Sequence, residues 1–336
     1  MDYRQLGTSG LKVSPICIGT MLFGDRTDVN ESKRIVDSGF DAGINFIDTA
    51  DAYVKGESER VTGKMIADKR SRWILATKVG NFMSDDPNDG GLNRRWLLMA
   101  CEASLARLST DYIDIYYAHL DFPDTPLHET IGAFGDLIRA GKIRYWGISN
   151  YRGWRIALVM QTCKELGVPP PVVCQPYYNA MNRMPEVEIL PACKHFGIGV
   201  VPYSPVARGV LTGKYQPGAT PPAETRAGRG DKRMMQTEFR EESMLLAQEI
   251  KAYAEKRGMT ASQFAVNWVL NNKSVDAVIA GPRTMAQWNE YLDVFKHGYT
   301  PEDEALINRL VQEGHPSTPG YNDPQYPLTG RNPRVA

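Results

Sequence analysis

Eight apolar runs of strand length recur along this chain, each separated from the next by enough residues for a helix. They occupy residues 14–19, 45–49, 73–78, 112–119, 143–150, 172–175, 197–203 and 276–281. The segments between them carry helical period. Leu97, Cys101, Leu105 and Leu108 fall on one face, as do Leu246, Ile250 and Tyr253, and Phe264 with Trp268. Thr260 with Gln263 and Thr284 with Gln287 fit a capping box, and Thr300-Pro301 puts proline at a first helical position. Strands alternating with helices imply βαβ units and a parallel sheet. Eight such units within 336 residues predict an α/β fold of the closed (β/α)8 TIM-barrel type, a single domain spanning 1–336.

Three segments depart from that rhythm. Residues 1–14 hold two short segments around a Gly-bounded turn and predict an N-terminal β-hairpin. Residues 212–240 lack period and predict a long loop after strand 7, of the kind that is usually functional or mobile. Residues 315–336, rich in Pro, Gly, Asn and Tyr, predict an irregular C-terminal tail, with a place across the barrel mouth as its expected position.

Charge narrows the range of partners. Lys plus Arg and Asp plus Glu both total 39, a formal net charge of zero that gives no support to a nucleic-acid partner. The five cysteines lie far apart in apolar stretches, without metal-ligand spacing, and read as small buried hydrophobes in a reducing compartment. The N-terminus lacks a signal-peptide layout, and no apolar run approaches the roughly 18 residues of a membrane span. The expectation is a cytoplasmic protein without membrane association, a monomer or weak homo-oligomer.

In a parallel barrel the chemistry sits where strands end and βα loops begin. Inward-facing side chains come every second residue, so strand parity tests each candidate. Phe46 and Asp48 share a face on the second strand, Ala76 and Lys78 on the third, and Ile113, Ile115, Tyr117 and His119 on the fourth. Three strands thus deliver Asp48, Lys78 and His119 to one rim, and Tyr53 follows on the loop after the second strand. Each has an ordinary alternative: a helix cap for the Asp, a solvated rim charge for the Lys, a hydrogen-bonded core residue for the His. Together they are harder to explain that way, because a buried rim does not tolerate a lysine without a carboxylate. The set suits proton delivery to a carbonyl oxygen. A tyrosine is a poor acid near neutral pH until an adjacent ammonium favours its phenolate, and a neutral imidazole can orient the carbonyl. No side chain donates a hydride, so a nicotinamide cofactor is implied.

Several ordered motifs carry a resemblance. They are Gly43-Ile44-Asn45-Phe46-Ile47-Asp48-Thr49-Ala50 with Tyr53, Gly56 and Ser58-Glu59; Ala76-Thr77-Lys78-Val79-Gly80; and Asp114-Ile115 with His119. Further along come Gly141-Lys142-Ile143-Arg144 leading to Gly147-Ile148-Ser149-Asn150, then Tyr203-Ser204-Pro205 and Leu211-Thr212-Gly213-Lys214. On these the chain resembles the aldo-keto reductase superfamily over nearly its whole length, and is similar to the reductases related to potassium-channel β subunits. The resemblance implies reduction of a small-molecule aldehyde or ketone, with NADPH/NADP+ as cofactor. Tyr53 would be the general acid, Lys78 its partner, Asp48 the lysine's counter-ion and His119 the carbonyl orienter. It also implies a cofactor wall. Ser149, Asn150 and Gln175 would hold the nicotinamide carboxamide and Tyr203 would stack on the ring, with Gly19, Thr20, Met21 and Asp48 beside them.

A barrel commonly binds phosphate after strands seven and eight, at a helix N-terminus. Those loops offer Ser204, Pro205, Ala207, Arg208, Gly209 and Lys214 on one side and Gly281, Arg283 and Gln287 on the other, with Arg226 or Arg229 as weaker candidates. The guanidinium of Arg283 suits a 2′-phosphate and favours NADPH over NADH. Tyr291 stands where the family has Asn and leaves the adenine contact open. The expected substrate wall comprises Met21, Leu22, Phe23, Asn81, Phe82, Asp121, Phe122 and the tail. Two other readings compete. One is a redox-sensing binding subunit of the channel β type; the other makes Lys78 a Schiff-base lysine, which leaves Ser149, Asn150, Gln175 and Tyr203 unexplained.

Overall fold

All eight apolar runs form strands in the computed structural model, which describes residues 1–328 and Gly330. Thr329 and residues 331–336, the end of the expected irregular tail, lie outside the described residues. A hairpin of β1 (Arg4–Gln5) and β2 (Lys12–Val13) comes first. The barrel strands follow: β3 (Ile16–Gly19), β4 (Phe46–Asp48), β5 (Ile74–Val79), β6 (Ile113–Ala118), β7 (Ile143–Ser149), β8 (Val173–Gln175), β9 (Gly199–Val200) and β10 (Val278–Ala280). They form one eight-stranded parallel sheet in the order β10-β3-β4-β5-β6-β7-β8-β9. Backbone bonds from Asp276 N–H to Val200 O (2.9 Å) and from Ile279 N–H to Pro202 O (3.0 Å) join the last two and close the (β/α)8 cylinder.

Side-chain parity divides the strands into two layers. Cys17, Phe46, Ala76, Ile115, Tyr117 and Val173 fill the interior. Ile16, Ile18, Ile47, Leu75, Tyr116 and Cys174 alternate with them and pack under the helices. Ile113, at the entry of β6, joins the outer layer instead. Gly147 must stay small, because a Cβ there would lie 2.6 Å from the Tyr117 ring and 2.7 Å from Val173. The hairpin plugs the strand-entry end. Leu6 and Val13 are buried in the interior cluster, and Gly7 donates its N–H to Asp276 Oδ2 at 3.1 Å.

Helices α1 (Val29–Asp41), α2 (Glu57–Ile66), α3 (Arg94–Leu108), α4 (Leu127–Arg139), α5 (Gly153–Leu166) and α6 (Ile189–Phe196) alternate with the strands. On α3, Leu97, Cys101, Leu105 and Leu108 all face the core. The segment after β9 is more ordered than its composition suggests. It holds a 3-10 stretch at Ala207–Thr212 and then α7 (Lys232–Thr237), which Asp231 caps by accepting from Met234 N–H. Helices α8 (Glu241–Lys256) and α9 (Ala261–Asn271) precede β10; α10 (Met285–Leu292) and α11 (Pro301–Leu310) follow it. The capping box at Thr260 and Gln263 is complete, and Thr300 makes another with Asp303. At α10 only half of one forms: Thr284 accepts from Gln287 N–H, while the Gln287 amide oxygen accepts from Arg283 N–H. The described tail has no regular element and is held against α7, where Arg233 forms two bonds to Asp323, at 3.0 and 2.6 Å. Among the described residues no helix is long and apolar enough to cross a membrane. All five cysteines are buried and free.

Candidate active site

Parallel register sets the first geometry. Asp48 pairs with Ala76, so Lys78, two residues further along β5, reaches over the end of β4. Its ammonium, 0% exposed, donates to Asp48 Oδ1, to Thr49 O at 2.7 Å and to the Tyr53 hydroxyl at 3.3 Å. An ammonium has three donors, and all three are used. Burial acts to lower the Lys78 ammonium, but Asp48 and Tyr53 more than reverse it, holding it above its ordinary value. A lysine kept charged in this way is a poor nucleophile, which weighs against a Schiff-base role. Burial pushes the Asp48 carboxyl up, with Lys78 and Gln175 opposing; Gln175 donates its amide N–H to Asp48 Oδ2 at 3.1 Å.

Tyr53 differs from the sequence expectation. Lys78 does pull its phenol down, but burial, reinforced by Asp48, outweighs that pull and raises it. The phenol therefore keeps its proton at neutral pH. His119, just beyond β6, meets the Tyr53 ring edge-on with centroids 5.9 Å apart. Loss of water and the Lys78 charge hold the His119 imidazole well below its usual range, so the ring is neutral.

A hydrogen-bonded arc continues from there. The Asn150 amide nitrogen donates to His119 O and to Ser149 Oγ, both at 2.9 Å. Ser149 donates to Gln175 O at 2.8 Å, and the Tyr203 hydroxyl donates to Asn150 Oδ1 at 2.9 Å. Tyr177 stacks behind Tyr203, with centroids 5.4 Å apart. Asn150 and Ser204 both take positive φ, 63° and 57°, where each strand hands over to its loop. Around the rim, Ser58 Oγ donates to Thr20 O at 2.7 Å and lies 2.9 Å from Thr49 Oγ1, tying the loops after β3 and β4 to α2.

Asp48, Tyr53, His119, Ser149, Asn150, Gln175 and Tyr203 line one cavity of about 1220 Å³, with Lys78 buried behind its wall. Gly19, Thr20, Met21, Asp48, Ser149, Asn150, Gln175, Tyr203, Ser204 and Pro205 form its inner wall; Gly209, Lys214, Arg226, Gly281, Arg283 and Gln287 lie toward its outer end. Ala207 is absent from the wall because its methyl group is fully buried under the 3-10 turn. Arg208, Arg229 and Arg233 add charge. Crowding shows in Lys214, whose ammonium is pulled down by loss of water and by Arg283, Arg226 and Arg229. The Arg226 fork is engaged by Asp231, at 3.1 and 2.9 Å. Tyr291 is buried at the cavity edge.

The apolar wall is smaller than the sequence suggested. Met21, Leu22 and Asn81 line the cavity, whereas Phe23 is buried in the core. Phe82 and Phe122 pack edge-on against each other outside it, with Phe82 58% exposed, and Asp121 is held by the Arg155 fork. Leu120 lines the cavity in their place. The tail, expected on this wall, supplies Gln325 and Tyr326 there, held by the Arg233–Asp323 contact between distant segments.

Residues 15–312 match the family model described as the aldo/keto reductase family. A probable voltage-gated potassium channel subunit beta of Arabidopsis thaliana is 36% identical, over 86% of this chain and 90% of its own length. An uncharacterized oxidoreductase of Bacillus subtilis (strain 168) is 33% identical, over 95% and 98%. The L-glyceraldehyde 3-phosphate reductase of Escherichia coli O157:H7 is 30% identical, over 94% and 93%.

Behind the site, sequence reasoning missed Asp51, which lies between Asp48 and Tyr53. It is buried; one oxygen accepts from Ala52 N–H at 2.7 Å, and the other has no partner among the described residues. Burial, with Glu59 adding to it, pushes the Asp51 carboxyl up to about 8. Unfolded, the group ionises near about 4. The stability it contributes is therefore present below that value and lost as pH rises through about 8. Asp51→Asn removes this titration, so urea denaturation at a series of pH values should show the variant gaining on the wild-type chain between about pH 4 and 8. Parallel stability curves would show that Asp51 is ionised in the folded protein.

Proposed function

The chain belongs to the aldo/keto reductase family, and from that premise we propose that it reduces an aldehyde or ketone to the alcohol with NADPH, Tyr53 delivering the proton. The observation that carries this reading is the buried Lys78 ammonium, which donates at once to Asp48, Thr49 O and the Tyr53 hydroxyl, while Asp48 and Tyr53 line the cavity. The residues around that cavity fit the cofactor. Its outer end gathers Lys214, Arg208, Arg226, Arg229 and Arg283, a cationic set suited to phosphates, and its inner end presents the Ser149, Asn150 and Gln175 side chains suited to an amide. Bound there, NADPH supplies the hydride.

The chain's own groups account for the proton. Tyr53 holds its phenolic proton until negative charge develops on the carbonyl oxygen. As the proton leaves, the nascent phenolate lies 3.3 Å from an ammonium that Asp48 has already oriented. That contact strengthens in the transition state and not in the ground state, which is the condition for catalysis. His119, neutral, donates a hydrogen bond to the same oxygen and fixes its direction. Asp48 moves no proton; it keeps Lys78 charged and in place.

Channel β subunits among the relatives motivate the competing role of a redox-sensing binding subunit, and steady-state turnover far above one per bound cofactor would exclude it. Tyr53→Phe should retain NADPH affinity, read by fluorescence quenching, while kcat falls by about 10²–10⁴; wild-type turnover in that variant would end the proposal. Arg283→Ala should raise KM for NADPH about tenfold or more and leave KM for NADH nearly unchanged. Equal effects on the two cofactors would remove Arg283 from the 2′-phosphate site.

A further inference from the structure

Asn81 follows β5 and stands three residues after Lys78, on the cavity wall beside His119. Its amide nitrogen lies 2.9 Å from His119 Nδ1. In this amide orientation the NH2 faces the ring and can only donate, so Nδ1 accepts, and a neutral imidazole that accepts at Nδ1 carries its proton on Nε2. The His119 backbone is already fixed from two sides. Its N–H donates to Val79 O at 2.9 Å, and its carbonyl accepts from Asn150. What those bonds leave open is the setting of the ring and the nitrogen that holds its proton.

We propose that Asn81 is a positioning residue that selects the Nε2–H tautomer of His119, so that the ring presents a donor to the carbonyl oxygen. This rests on the assignment of His119 as the group that orients the substrate. The opposite tautomer would set the Nδ1–H against the Asn81 NH2, donor facing donor. It would also turn the Nε2 lone pair toward the carbonyl oxygen, acceptor facing acceptor. Held with its NH2 toward the ring, the amide specifies both ends of the ring, much as a partner on one imidazole nitrogen generally dictates the state of the other. Asn81 and Lys78 share one strand and its exit, so the group that stabilises the phenolate and the group that sets the imidazole are placed by the same backbone.

The test is a two-bond 1H–15N correlation spectrum of the full-length chain labelled with 15N-histidine, at neutral pH, with the His119 pattern identified by its loss in His119→Asn. The wild-type chain should show an unprotonated Nδ1 and a protonated Nε2. Asn81→Asp, nearly the same shape but an acceptor, should move the proton to Nδ1 and carry the acid limb of the kcat profile to higher pH. It should lower kcat by roughly ten- to a hundredfold, part of what positioned acid–base groups contribute, with KM for NADPH unchanged. Asn81→Ala should give a mixture of tautomers. Nδ1–H in the wild-type chain, or a pattern unchanged in both variants, would overturn the inference. The spectrum needs no turnover: a chain that reduces no carbonyl yet shifts its tautomer with Asn81 defeats the functional reading alone, whereas an active chain whose tautomer ignores Asn81 defeats this one alone.

Discussion

A fully buried ammonium is the constraint around which the mouth of this barrel is arranged. Lys78 has no access to water, and an isolated buried charge would neutralise sooner than stay. It stays because Asp48, Thr49 O and Tyr53 accept hydrogen bonds from its three N–H groups. Each of those acceptors is placed by something else. Strand register sets Asp48, Gln175 holds its second oxygen, and the Ser58 hydroxyl, between Thr20 and Thr49, anchors the loop that brings Tyr53 in. Removing one member of such a buried pair typically costs about 3–5 kcal/mol, because the other is left uncompensated. The pair is thus weak evidence of stability and strong evidence of a required local charge.

The two ends of the cylinder carry different burdens. At the strand-entry end the hairpin seals the interior with Leu6 and Val13, and its turn is pinned to Asp276. At the exit end polar groups replace apolar ones: Asp48, Lys78, Ser149 and Gln175 are each nearly or fully buried and each bonded. Between them Tyr117 fills the interior against Gly147 and Val173. Stability therefore rests on one end and the interior, leaving the other end free to hold charge.

What was legible in the sequence follows from how local each signal is. Strand parity depends only on neighbours in the chain, and it placed Asp48 and Lys78 at one rim correctly. Loop residues depend on contacts that spacing does not reveal. Phe23 turned into the core, Phe82 paired with Phe122 outside the cavity, and Asp121 was taken by Arg155, so none of them lines the cavity. Ala207 failed for the same reason, since a 3-10 turn buries its methyl. The tail did reach the cavity wall as its composition suggested, and an ion pair between segments 90 residues apart holds Tyr326 there. The phenol of Tyr53 was misjudged in direction because desolvation is a property of the whole fold, while the Lys78 charge can be read from one motif.

On the proposed function, this cavity transfers a hydride from a nicotinamide to a carbonyl carbon. Stereospecifically deuterated NADPH tests it most directly, with the label on one or the other face of C4 and the alcohol product read by mass spectrometry. Deuterium is expected on the carbinol carbon from one labelled face only, if Ser149, Asn150 and Gln175 hold the carboxamide as proposed and so fix one face of the ring toward the substrate. Label transferred equally from both faces, or an alcohol formed without label from either, would contradict it.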